Sequence, residues 1–164
     1  MSSQSLNIEI PHSFFNKMQR LRESKRKIYF YIQDAISKYF EKNIKCADFT
    51  KDVKQVRFTV TKKNKELSQI QMHFMNTRPI HIISDEDGFL KKRLMNFYKF
   101  DSDIDFILTI LYFFSQLYGI NFSLISDRIF EEKVKTETTD ISKKNNTSHN
   151  SEILKYIYLD LKPF

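Results

Sequence analysis

Apolar side chains recur along this chain with two periods, and the switches between them mark the elements. Leu6, Ile8 and Ile10 alternate with Asn7 and Glu9, which predicts a short strand ended by Pro11. Ser13 is placed to cap a helix starting at Phe14. Phe14, Met18, Leu21, Ile28, Ile32, Ile36, Phe40 and Ile44 then recur every three or four residues. That spacing predicts one long amphipathic helix, or two helices broken near Ser24.

The period falls to two at Val56, Phe58 and Val60, and again at Ile70, Met72 and Phe74. With turns at Lys62–Glu66 and Asn76–Arg78 and a third run from Pro79 to Ile83, these predict three antiparallel strands. Ser84, Asp85, Glu86 and Asp87 read as a helix start, with Phe89, Leu90, Leu94, Phe97 and Tyr98 on the buried face. Ser102 and Asp103 open another helix, Gly119 stops it, and Ile120, Phe122 and Leu124 form a strand. Residues 131–150 carry only two aliphatic side chains and no aromatic one, which predicts a flexible loop or linker. Ile153 to Leu161 reads as a final strand returning to the sheet.

The order β-α-β-β-β-α-α-β-β predicts an α+β fold. It is a single domain of residues 1–130 plus 151–164, with an antiparallel sheet of about five to six strands and helices on one face. The 164-residue length agrees with one domain. Two glycines leave no room for a glycine-rich phosphate loop, and one cysteine leaves none for a disulfide framework or a cysteine-based zinc finger. Residues 106–126 are uncharged, but Thr109, Ser115, Gln116 and Asn121 interrupt them. A buried helix running into a buried strand is expected there, and no membrane span.

Charge adds an asymmetry. Residues 1–65 hold 15 basic and 6 acidic side chains, against 12 and 14 in the remainder. The densest run is residues 20–27, with five cations, Arg20, Arg22, Lys25, Arg26 and Lys27, and one acid, Glu23. Such a run fits a polyanion-facing surface, a localisation signal or a solvated helix face. Tyr29, Phe30 and Tyr31 follow, and on a helix three successive rings cannot all be buried, so Tyr31 is expected outside. Cations beside exposed rings are what single-stranded nucleic acid binding uses.

Other chemistry is thinner. A three-residue loop after Met75 would set His73 opposite His81 on the sheet, a start for a metal site that lacks a third ligand. Two ordinary histidines on a solvated sheet face account for them as well. Asp85, Asp101, Asp103 and Asp105 sit at helix starts, where the helix dipole accounts for them. Cys46 reads as a small, partly buried thiol.

The expectation is therefore a non-catalytic subunit or adaptor of a larger, nucleoprotein-type complex, with no cofactor and no metal. It would work through a protein interface and a basic N-terminal face, with DNA or RNA touched through phosphates. The candidate contacts are Arg20, Arg22, Lys25, Arg26, Lys27, Tyr31, Arg57, Lys62 and Lys63. One alternative is a stand-alone nucleic-acid-binding domain using residues 17–27 and 51–65. A weaker alternative is a metal-dependent enzyme using His73 and His81. Met1 to Ile10 lacks a signal-peptide pattern, so an intracellular location is expected, with the basic run favouring the nucleus.

Overall fold

A computed structural model describes residues 4–43, 55–63, 66–75, 80–85, 88–134, 152–157 and 159–163. Strand β1 (Gln4–Pro11) leads directly into helix α1 (His12–Ser24), and α2 (Arg26–Asn43) follows after the single residue Lys25. Strands β2 (Gln55–Lys63), β3 (Glu66–Met75) and β4 (Ile80–Asp85) come next. Helices α3 (Phe89–Met95) and α4 (Asp103–Leu117), strand β5 (Asn121–Ile125) and helix α5 (127–134) complete the body. Strands β6 (Glu152–Ile157) and β7 (Leu159–Pro163) close the described chain.

Helix α4 is the centre of the core. Every residue from Phe106 to Ser115 is buried, which a helix tolerates only when it is packed all round. It lies against α2 and β1, while α1 packs on α2, β1 and β5 and α3 packs on α2 and β4. Of the side chains predicted to form the helical stripe, Phe14, Met18, Leu21, Ile32, Ile36 and Phe40 are buried, Ile28 is half-buried with Tyr29 buried beside it, and Ile44 lies outside the described residues. So are Ile8 and Ile10 of β1, whose intervening Glu9 pairs with Lys133 of α5 at 2.7 Å.

One polar network lies within this core. The hydroxyls of Tyr29 and Tyr112 lie 3.0 Å apart, Gln19 Nε2 donates to Tyr112 at 3.0 Å, and Tyr29 donates to Gln116 Oε1 at 3.2 Å. The network joins α1, α2 and α4. Burial and the Tyr29 hydroxyl push the Tyr112 phenol well above its ordinary pKa.

The expected single antiparallel sheet of about five to six strands does not form. Five helices carry the described core, and the strands divide between two smaller sheets. In one, β1 runs parallel to β5 and antiparallel to β7; in the other the order is β4-β3-β2-β6. The expected C-terminal strand is thus two strands, β6 pairing with β2 and β7 with β1. A parallel partner for β1 lies more than a hundred residues away, and alternation of apolar residues specifies a face, not a partner. The strand β5 was expected to be buried and is instead a half-exposed edge.

Helix ends follow both local and distant partners. Gly119 adopts φ 64° after α4, and the Ile120 N–H reaches back to the Ser115 carbonyl at 2.8 Å, the left-handed stop expected from sequence. Ser102 caps α4 by accepting from the Asp105 N–H at 3.2 Å. Ser13 does not cap α1; its N–H and hydroxyl both donate to Asp127 Oδ1, at 3.1 and 2.8 Å, from the start of α5. Residues 131–134, expected to begin a loop, are the last turn of α5, and the rest of that predicted loop lies outside the described residues. Phe89, expected in the core, is 65% exposed, while Leu90 and Leu94 are buried.

Candidate nucleic-acid interface

Lys25 breaks the helix between α1 and α2. Its N–H still bonds the Leu21 carbonyl at 2.8 Å, and the Ser24 hydroxyl turns back to the Arg20 carbonyl at 2.6 Å. The turn sets the end of α1 beside the start of α2. Arg20, Arg22, Lys25, Arg26 and Lys27 are all exposed around it. None of the ion pairs among the described residues involves any of these five.

Two of them rest on aromatic rings instead. The Arg22 guanidinium sits 5.6 Å from the Tyr29 ring centroid and 6.0 Å from that of Phe30, and Arg26 sits 5.2 Å from Phe30. These contacts hold the guanidinium groups without consuming their charge. The three successive rings divide as expected: Tyr29 is buried, Phe30 lies at the boundary, and Tyr31 is 61% exposed. Tyr31 also meets Phe97, with centroids 4.7 Å apart, a neighbour that the sequence does not suggest.

The corner joins the negative end of α1 to the positive end of α2. The first turn of α2 holds Arg26 and Lys27 and no acid. A helix N-terminus carries partial positive charge, so cations there cost about 0.3–1 kcal/mol each where acids would gain it. The same cations lie within a turn of the α1 C-terminus, whose negative end favours them, so the two helix ends offset and the side-chain charges make the positive field. By contrast, α4 carries Asp103 and Asp105 in its first turn, the favourable sign.

The remaining predicted contacts lie elsewhere. Arg57, Lys62 and Lys63 are on β2, the inner strand between β3 and β6, and their side chains are outside the described set. The histidine pair does not assemble. His73 is opposite Ile82, and His81 is opposite Phe74. Four residues, not three, separate Met75 from its partner Ile80, and this one-residue slip gives the two histidines opposite faces. No group of three potential metal ligands occurs among the described residues. Cys46 lies outside them.

The acids are engaged in the architecture. Lys17 bridges Asp101 at 2.5 Å and Asp105 at 3.3 Å, and Lys91 bridges Asp103 at 2.9 Å. Burial alone would lower the Lys17 ammonium. The hydrogen bond it donates to Asp101 and the charges of Asp105 and Asp101 outweigh it, holding the ammonium well above its ordinary value. The hydrogen bond to Lys17 in turn holds the Asp101 carboxyl below the usual range. A cleft of about 400 Å³ opens here between α1, α4 and α5, with Phe14, Leu108 and Phe130 on its floor and Lys17, Asp105 and Asp127 at its rim.

Asp85 is buried and caps α3, accepting from the Leu90 N–H at 2.6 Å and the Lys91 N–H at 3.3 Å. Burial raises its carboxyl above the usual value, against the pull of those two donors. No described helix is long and apolar enough to cross a membrane, as the expectation for residues 106–126 had it. Comparison with protein-family models, with curated proteins and with solved structures finds no match for this chain.

Proposed function

We propose that this chain is a non-catalytic subunit or adaptor of a nucleoprotein-type complex, touching nucleic-acid phosphates through the corner between α1 and α2. The observation that carries the reading is the gathering of five exposed cations, Arg20, Arg22, Lys25, Arg26 and Lys27, around one helix break, with none of them in an ion pair among the described residues. A bound polyanion would gain from all of them by counterion release. The ring-supported Arg22 and Arg26 offer planar, ordered donors to phosphate. A protein partner is the second element of the reading, and it rests on α3, where Phe89 and Met95 are 65% and 50% exposed.

The test compares the parent with a variant carrying Arg22→Glu, Arg26→Glu and Lys27→Glu. All three side chains are exposed, so the fold is expected to persist by circular dichroism. Fluorescence anisotropy with labelled oligonucleotides at about 50 mM salt should show binding by the parent and none by the variant. Equal binding by both proteins would place the contact elsewhere and overturn the reading.

A further inference from the structure

The Tyr31–Phe97 pair is more than another exposed ring beside a charge. Tyr31 stands 61% exposed on α2, backed by Phe97 at 4.7 Å with the two rings inclined by 56°. The backing fixes the orientation of the tyrosine ring and leaves its other face open. Lys27 lies four residues before Tyr31, hence on the same face of α2 and one turn nearer the basic corner. Phe97 follows the end of α3, in a turn closed by its N–H bonding to the Leu94 carbonyl at 3.2 Å. Lys27 is exposed, and no described ion pair uses it. The acid that follows Tyr31 on this face, Asp34, is engaged by Lys38 at 3.1 Å.

We propose that Tyr31, held by Phe97, is a stacking platform for an unpaired nucleobase, with Lys27 holding a flanking phosphate. This inference rests on the phosphate-binding reading of the corner and adds selectivity for single strands to it. An ordered aromatic ring with one free face and a cation one helical turn away matches a single strand, in which bases and phosphates alternate. A duplex keeps its bases stacked on one another and can offer this surface only its backbone. Stacking is tolerant of base identity, so single-strand selectivity comes without sequence selectivity.

The experiment uses the full chain with a labelled oligothymidine of about ten nucleotides, within the usual span of one such site, and a duplex of equal length. Tyr31→Ala should weaken single-strand binding on the order of tenfold, the usual loss for one stacked base, and leave duplex binding unchanged. Tyr31→Phe should restore it, because the ring and not the hydroxyl does the stacking. Photocrosslinking with a 5-iodouracil oligonucleotide should attach to the peptide that carries Tyr31. If Tyr31→Ala binds the single strand as tightly as the parent while the corner charge reversal abolishes binding, the platform is wrong and the phosphate reading stands. If the parent binds polyglutamate and neither oligonucleotide, both readings fall and the corner faces an acidic protein.

Discussion

Replacing Tyr112 with Phe removes a single oxygen from the point where α1, α2 and α4 meet. That oxygen lies 3.0 Å from the Tyr29 hydroxyl and accepts from Gln19 at 3.0 Å, so two buried hydrogen bonds are lost. No donor is stranded. Tyr29 keeps Gln116, 3.2 Å away, and half-buried Gln19 can turn to water. The ring stays, so there is no cavity term. At about 1 kcal/mol per bond the cost is ~1–2 kcal/mol, a fall in melting temperature on the order of 5 °C for a domain of this size. Tyr29→Phe should cost a similar amount. The double variant should cost less than the sum by at least about 0.5 kcal/mol, because both single changes remove the same bond. Urea unfolding followed by circular dichroism reads all three, with unchanged m-values as the control. Strict additivity would show that the hydroxyls do not meet, and that α2 is not docked on α4 as described. Oligonucleotide affinity should be untouched throughout, since the exposed cations are not altered.

Three further outcomes follow from single contacts. Gly119→Ala should lose about 1–2 kcal/mol from the left-handed φ of 64° alone, because a Cβ there meets nothing within 4 Å; a neutral result by urea unfolding would mean that α4 ends differently. Asp127→Ala should cost about 0.5–2 kcal/mol and speed amide exchange at the start of α1, since its carboxylate is the acceptor for Ser13; unchanged exchange would remove α5 as the anchor of that helix. For Asp85 the raised pKa fixes the sign: the protonated form suits the fold, so its contribution is full below the ordinary carboxylate range and is lost as pH rises through the raised value. Asp85→Asn, which cannot ionise, should therefore gain stability relative to the parent as pH rises above the ordinary carboxylate range, whatever its constant offset from the altered cap; a relative loss on that rise in thermal melts refutes the assignment.

What the sequence reveals here is what repeats locally. The spacing from Phe14 to Phe40 marks a helical stretch and most of its buried face, because a 3.6-residue period is written into neighbouring positions, but it leaves one helix or two open and puts Ile28 where Tyr29 is the buried residue after the break. Gly119 was readable as a stop for the same reason. Partner choice was not readable. Nothing in Ile8 and Ile10 says that β5 lies alongside in parallel, and nothing in Met75–Ile80 says that the loop takes four residues and separates His73 from His81. Helix α5 was missed because its one buried anchor is Phe130, set among charged residues. At the candidate site, the cations and the exposure of Tyr31 were legible. The guanidinium contacts across the Lys25 break and the Phe97 backing were not, because they depend on how two elements cross.

The salt dependence of oligonucleotide binding tests the central claim most directly. Five exposed cations releasing counterions from a single strand predict that log K falls against log salt with a slope of roughly −3.5, at about 0.7 per phosphate contacted, between about 50 and 300 mM. Removing one of them by Arg26→Ala should make the slope shallower by somewhat under one unit. Absence of binding at the low-salt end, or affinity that does not change with salt, would contradict the claim that this corner meets a phosphate backbone.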